Sequence, residues 1–241
     1  FCELNYTPEN SDGTIDTVNV KNIVEQFEIS RQFWSYLVKK NLVDEPSSFI
    51  VSAPHMSFVW GQENVDYLRK RYNALQTNPL FKDMQFSDNH DQLQQWIPLI
   101  MKDREAAQPL AATKMDAGTD VNFGALTTTM INHLTQSENV HLYTSHEIKN
   151  LKQQKDGTWK LKVKNLSTQE NTSVSTKFVF LGAGGGSLIL LEKSGIPEGK
   201  GFGGFPASGQ WLRCTNREVI GQHSAKVYGK PAVSTPRMSD P

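Results

Sequence analysis

The sequence predicts a mixed α/β fold of the α+β kind, and three observations predict it. Val20 to Lys40 carries apolar residues at helical spacing. Asp156-Gly157 separates two stretches with strand character, which is the pattern of a tight β-hairpin. The apolar run Phe178-Val179-Phe180-Leu181 stops abruptly at Gly182-Ala183-Gly184-Gly185-Gly186, and an apolar helix-like segment, Leu188-Ile189-Leu190-Leu191, follows Ser187.

Taken in order, residues 5 to 17 are turn-rich, with Pro8, Gly13 and several Asn, Asp and Ser. The helix from Val20 to Lys40 places Val20, Ile23, Val24, Phe27, Trp34, Leu37 and Val38 on one stripe. Arg31 falls on that stripe. A charge there needs a partner, either an internal ion pair or snorkelling stem, or a carboxylate ligand reached by the guanidinium. Phe49–Ser52 and Met56–Trp60 read as short strands around Ala53-Pro54-His55, with Gly61 ending the second. Asn64–Gln76 is helical, with Val65, Leu68, Tyr72 and Leu75 on one side and the cations Arg69, Lys70 and Arg71 on a solvated face.

Ser87 or Asp88 is expected to cap a short helix carrying Leu93 and Trp96, which Pro98 ends. Asn122 is an expected N-cap for a helix over Phe123–Leu134. Val140–Tyr143 reads as a strand, Glu147–Gln153 and Thr158–Asn165 as the hairpin, and Val174–Leu181 as a last strand running into the glycines. The pattern is that of a small meander inserted beside a parallel sheet.

Composition bounds the function. The 241 residues suffice for one large domain or two small ones. Lys plus Arg equals Asp plus Glu at 25 each, so no bulk field favours nucleic acid. Mean hydropathy is −0.48, and the longest mostly apolar run, Phe178 to Leu191, is too short to span a bilayer. Cys2 and Cys214, the two cysteines, suit a reducing compartment better than a disulfide scaffold. The chain opens at Phe1 without methionine or leader, as expected of a processed N-terminus or, the reading favoured here, of a piece of a longer protein.

Strand, glycine cluster, helix start is an order that lets backbone N–H groups approach an anion with no Cβ in the way. The anion found in such turns is the phosphate or pyrophosphate of a nucleotide cofactor. Gly182–Ser187 follows a meander and has no strand and acidic residue downstream, so it reads as a secondary phosphate or ribose contact rather than a dinucleotide fingerprint. A ligand-free turn would also use glycine, but this many glycines exceed what one turn demands. No P-loop lysine follows, and no Gly-x-Ser-x-Gly elbow exists. Of the six histidines, His55, His90, His133, His141, His146 and His223, none has the spacing of a zinc site.

Read together, several segments resemble the malate:quinone oxidoreductase family. They are Cys2–Pro8, Ser30–Trp34, Pro54–Gly61, Gly118–Gly124, Gly182–Gly186 and Ser194–Pro206. The resemblance runs from Cys2 to about Lys230, and the run Ala232–Met238 follows the family only loosely. It implies a flavoprotein similar to the amino-acid oxidase superfamily, with a partial FAD-binding, Rossmann-like part interleaved with a mixed-sheet substrate part. On this reading residues 1–120 are mainly substrate domain, 121–206 an FAD-binding segment with the meander and glycine turn, and 207–241 a return to the substrate domain. The family's own glycine-fingerprint strand and its C-terminal portion are missing, so the chain resembles about the middle half of such an enzyme.

The implied activity is the FAD-dependent oxidation of L-malate to oxaloacetate in the tricarboxylic acid cycle, with electrons passed to a membrane quinone. The implied location is peripheral, on the cytoplasmic side of a bacterial membrane. Such chemistry needs a base at the hydroxyl, for which histidine suits, and cations for two carboxylates, for which arginine's fork suits. The resemblance makes His55 or His223 the base, and Arg31, Arg213 and Lys226 the carboxylate holders. Gly182, Ala183, Gly184, Gly185, Gly186 and Ser187 would line the FAD ribose or pyrophosphate, and Glu147 and Ile148 the adenine. Asp120 and Asn122 would sit where the substrate sheet turns back towards the flavin. The competing expectations are another FAD-dependent 2-hydroxy-acid or amino-acid oxidoreductase, or a non-catalytic nucleotide-binding fragment.

Overall fold

The computed structural model describes residues 1–204 and 209–230, and shows a mixed α/β chain with several sheets. Phe205 and Pro206, which close the Ser194–Pro206 motif, and the run Ala232–Met238 lie outside the described residues. In chain order come α1 (Val18–Lys39), β1 (Ile50–Ser52), β2 (His55–Trp60), α2 (Gln62–Leu75), β3 (Gln85–Ser87), α3 (His90–Trp96), α4 (Pro98–Met101), β4 (Leu110–Met115), β5 (Thr119–Val121) and α5 (Phe123–Leu134). Then follow β6 (His146–Gln153), β7 (Trp159–Asn165), β8 (Asn171–Thr176), α6 (Ser187–Ser194), α7 (Arg217–Ile220) and β9 (Lys226–Gly229). They form two compact units: Phe1–Gln136 with the described part of Arg213–Pro241, and Ser137–Leu212.

The first unit is built on a four-stranded sheet of order β3-β4-β2-β9. β2 pairs antiparallel with β4, from His55 opposite Met115 to Trp60 opposite Leu110, and parallel with β9, Lys226 lying opposite His55. Met56 through Val59 are all buried, so this strand is covered on both faces and shows no alternation. β1 and β5 form a separate antiparallel pair, Ser52 opposite Thr119.

α1 lays Val20 and Val24 into a core with Cys2, Leu75, Phe81, Met84 and Met115. Farther along, the Trp34 indole meets Phe27, Phe49 and Phe123 edge-on at 6.2, 6.2 and 6.3 Å. The helix is thereby tied to the segment before β1 and to the start of α5. Leu68, Leu75 and Val65 of α2 are buried, and the helix packs on β2 and β4. Each such side chain contributes about 1.5–3 kcal/mol by leaving water.

The second unit is an antiparallel meander, β6-β7-β8, with α6 packed on β6. Gly157 takes φ +82° in the hairpin turn, a conformation that L side chains rarely adopt, and Asp156 accepts from the Thr158 amide at 3.0 Å. Among the described residues, Leu151 and Val163 are its buried apolar side chains.

Five expectations need correction. Arg71 is not on the solvated face with Arg69 and Lys70; it is fully buried, donating from Nε to Thr7 Oγ1 at 2.8 Å and from Nη2 to the Phe1 carbonyl at 2.9 Å. The strand expected over Val174–Leu181 is β8, which starts at Asn171 and ends at Thr176, because Phe178–Leu181 meets no strand among the described residues; Phe178 and Phe180 stand 76% and 83% exposed. Val140–Tyr143 is likewise unpaired and exposed. The cap of α3 is Asn89, whose side chain accepts from the Gln92 amide, while Ser87 accepts from Asn89 one turn earlier. No parallel strand flanks the meander among the described residues; the parallel pair, β2 with β9, belongs to the sheet of the first unit.

Candidate active site

A cleft of about 300 Å³ opens in the first unit, against the start of β2. Its apolar wall is the face of α1 that carries Val20, Ile23, Val24 and Phe27. Its polar wall comes from strand ends: His55 from β2, Asp120 from β5, and Lys226 and Tyr228 from β9. The N-terminal segment, through Glu3 and Tyr6, borders it.

Local rules bring these groups together. His55 follows Pro54, whose carbonyl accepts the Lys226 amide at 2.8 Å, so the parallel strand starts level with the imidazole. Asp120 follows Gly118, and here glycine is required by crowding. A Cβ on Gly118 would lie 2.5 Å from the Ala53 carbonyl oxygen, 2.5 Å from His55 Cδ2 and 2.7 Å from the His55 amide. The β1–β5 pair can therefore close on the start of β2 only with no side chain at this position.

The N-terminal segment is pinned by Arg71 from below, and by Ser57, whose hydroxyl donates to the Cys2 carbonyl at 2.6 Å. Tyr67 adds a donor bond to the Thr7 carbonyl at 2.7 Å. A buried guanidinium with carbonyl and hydroxyl partners thus fixes one border of the cleft.

The His55 Nε2 atom lies 3.0 Å from the Thr119 carbonyl oxygen. A carbonyl can only accept, so this bond places the proton on Nε2 and leaves the Nδ1 lone pair uncommitted. Burial pulls the imidazole's pKa below the ordinary histidine value, and the charges of the N-terminal amine and Lys226 add to this; the Thr119 bond and Asp120 oppose it. His55 is therefore neutral at physiological pH. Lys226 Nζ meets Asp120 Oδ1 at 2.5 Å. That bond holds the ammonium in place and depresses the Asp120 carboxyl. An ammonium has three donors, and Asp120 engages one. The cleft can thus take a proton at one atom and hold an anion at another.

Of the sequence-predicted catalytic positions, His55 and Lys226 share this cleft. Arg31 pairs with Glu28 one turn earlier on α1, at 2.9 Å, and lies 6.0 Å from the centre of the Phe27 ring. Arg213 is exposed in the segment before α7, and His223 is exposed in the turn after it. None of these three lines the cleft. Tyr228 and Glu3 do line it and were missed; the motif Cys2–Pro8 pointed to the segment carrying Glu3, while Tyr228 carried no local signal.

In the second unit the glycine bend leads into α6. Gly184 takes φ +54°, and a Cβ on Gly184 or Gly185 would meet nothing within 4 Å. The amide of Ala183 is used by Ser187 Oγ at 3.0 Å, and that of Gly186 by the Ala183 carbonyl at 3.0 Å. The Gly184 and Gly185 amides have no acceptor among the described residues. Behind the bend, Gly199 and Gly204 give room to α6: a Cβ would stand 3.1 Å from Leu191 and 2.6 Å from Leu188. Glu147 is exposed on β6, paired with Lys149 at 2.6 Å, which holds its carboxyl below the usual range, and Ile148 lies beside it at a β-bulge.

The sequence model of the family described as malate:quinone oxidoreductase matches residues 1–241. Two proteins named probable malate:quinone oxidoreductase, from Flavobacterium johnsoniae and Flavobacterium psychrophilum, are 61% and 57% identical to it over 241 residues, which is 100% of this chain and 48% and 49% of theirs. One of the same name from Exiguobacterium is 56% identical, over 100% of this chain and 48% of its own. The chain spans about half the length of the curated relatives it matches. A solved dithionite-reduced L-α-glycerophosphate oxidase from Mycoplasma pneumoniae, with FAD bound, aligns with 47% of this chain and 28% of its own at 18% identity and a TM-score of 0.35. With its whole length matched by the family's sequence and by these relatives, the chain belongs to the malate:quinone oxidoreductase family.

Proposed function

We propose that this chain is part of an FAD-dependent enzyme that oxidises L-malate to oxaloacetate and passes the electrons to a membrane quinone. The observation that carries the reading is the cleft itself: a neutral imidazole with an open Nδ1 stands beside an ammonium held by Asp120. Family membership supplies the substrates, since the relatives' name states malate and quinone.

Loss of two electrons from a 2-hydroxy acid removes a hydride from C2 and a proton from the hydroxyl. FAD, when bound, supplies the acceptor for the hydride. His55 Nδ1 takes the hydroxyl proton, and the bond from Nε2–H to Thr119 keeps the ring in the required tautomer. Lys226 holds one substrate carboxylate, sharing its ammonium with Asp120. The apolar face of α1 excludes water around the reacting carbon and strengthens both interactions. We assign the base to His55 rather than the exposed His223, because His55 lines the cleft and His223 does not. Arg31 and Arg213 stay as proposed partners for the second carboxylate, on the strength of guanidinium chemistry alone.

The first unit would carry the substrate cleft, and the second would contact the nucleotide. The open amides of Gly184 and Gly185 fit a phosphate or pyrophosphate oxygen, because no Cβ and, among the described residues, no protein acceptor competes for them. Ser187 would add its hydroxyl, and Glu147 with Ile148 would meet the adenine. Association with the cytoplasmic side of a bacterial membrane belongs to the same proposal. Among the described residues no helix is long and apolar enough to cross a membrane. The test is malate-dependent reduction of a soluble quinone dye by the full-length protein. A yellow, FAD-containing protein that reduces the dye with malate supports the reading; a colourless one that does not sinks it.

A further inference from the structure

β9 places two side chains in the cleft, because Lys226 and Tyr228 are two residues apart and leave the strand on the same side. β9 runs parallel to β2, with Lys226 opposite His55 and Tyr228 opposite Ser57. The Tyr228 ring stands edge-on to the His55 imidazole, centroids 5.9 Å apart at 66°. The ring also packs against the core cluster that contains Cys2, Val20, Val24 and Met115. The strand is anchored just beyond: Lys230 Nζ donates to Asn64 Oδ1 at 2.9 Å and lies 4.5 Å from the centre of the Tyr67 ring.

Tyr228 combines an uncommitted hydroxyl with a place on the same strand as Lys226, two residues on. Tyr67, a buried phenol of the same unit, satisfies its O–H on the Thr7 and Leu4 carbonyls. Tyr228 is half-buried, yet its hydroxyl has no hydrogen-bond partner among the described residues. A donor held at the wall of a cleft and left without a protein acceptor is available to a ligand. Burial raises the phenol's pKa, with the Lys226 charge opposing, so the group stays a neutral donor. Lys226 two residues earlier brings its anion to the same wall.

We propose that Tyr228 is a substrate-binding residue of this cleft, donating its O–H to an oxygen of the carboxylate that Lys226 holds and leaving the substrate hydroxyl to His55. The inference rests on the cleft being the 2-hydroxy-acid site. A phenol that only packs on His55 would do its work through the ring, and Tyr228→Phe keeps the ring.

The experiment uses the full-length, flavin-loaded enzyme. In Tyr228→Phe, KM for L-malate rises about tenfold, the effect of one lost hydrogen bond to a charged group, while kcat changes less than about threefold. The dissociation constant for succinate, a dicarboxylate without the reacting hydroxyl, rises by the same factor in calorimetry. An unchanged KM and an unchanged succinate affinity overturn the inference. Should Tyr228→Phe melt early, a double-mutant cycle with Lys226→Met read on succinate affinity decides. Non-additive losses support a shared carboxylate, and additive ones overturn it. Normal turnover and normal succinate affinity in both His55→Gln and Lys226→Met would instead remove the substrate-cleft reading itself.

Discussion

The His55 ring nitrogen Nε2 and the Thr119 carbonyl oxygen lie 3.0 Å apart, across a sequence separation of 64 residues. One backbone carbonyl thereby decides which nitrogen of the imidazole can act as a base. The arrangement depends on Gly118, because the chain segment that presents Thr119 passes against the His55 backbone and ring with no space for a Cβ.

That crowding gives a prediction for Gly118→Ala. The added methyl must displace the Ala53 carbonyl or the His55 amide, both backbone groups. Overpacking of this kind costs about 1–3 kcal/mol. A shift of His55 by a fraction of its hydrogen-bond length lowers turnover further, and misplacements near 1 Å can cost about a hundredfold. Thermal melting and kcat should both fall; an unchanged kcat would show that the Thr119 contact does not position the base.

The pH dependence follows from the same residue. On the proposed assignment His55 is the neutral base, and its pKa is lowered first by burial and then by the charges of the N-terminal amine and Lys226. The acid limb of kcat/KM therefore lies below the ordinary histidine value of about 6.5. In Lys226→Met one lowering charge is lost and Asp120 is left without that partner beside the ring, so the limb moves to higher pH. Stability changes with the same sign. The unfolded histidine takes its proton first as pH falls, so stability declines below the unfolded pKa and continues to decline down to the folded one. Melting of His55→Gln should be less acid-sensitive over that window.

Arg71 predicts an effect on stability away from the chemistry. Its guanidinium is fully buried, and two of its nitrogens hold Thr7 and the Phe1 carbonyl while Nη1 has no partner among the described residues. Arg71→Met keeps the stem's packing and strips those acceptors of their donor. The cost is about 1–3 kcal/mol for the groups left unpaired in the interior. The urea midpoint should drop accordingly, and KM for malate should rise because the segment carrying Glu3 and Tyr6 borders the cleft.

Gly185 separates fold from cofactor binding. A Cβ there meets nothing within 4 Å, so Gly185→Val should leave the fold's own packing intact. If the amide faces a phosphate oxygen, the isopropyl group blocks its approach. The variant should then melt like its parent when both are stripped of flavin, and should release FAD at lower dilution. Equal FAD retention would move the nucleotide contact away from this bend.

Much of the fold was legible because it is encoded locally. Asn122 with the stripe that follows gives α5, and Asp156-Gly157 gives the hairpin, since caps and tight turns need particular residues at particular offsets. β4 was not legible: Leu110-Ala111-Ala112-Thr113-Lys114-Met115 neither alternates nor favours strand, and its place between β3 and β2 comes from burial on both faces. Phe178–Leu181 shows the reverse, a strand-like run with no neighbouring strand among the described residues. At the site, His55 stood out by its place between Pro54 and an apolar strand. Its partner Thr119 did not, nor did the partners of Arg71, because these bonds join residues more than 60 apart in sequence. Tyr228 was hidden for the same reason: a lone tyrosine acquires meaning only from the strand beside it.

The most direct test is the anaerobic rate at which L-malate bleaches the flavin of the full-length protein, compared between the parent and His55→Gln at matched FAD content. That rate isolates substrate oxidation from quinone reduction. The account predicts a fall of about a hundredfold or more in the variant, the usual loss when a general base is removed. Bleaching at close to the parent rate would contradict it.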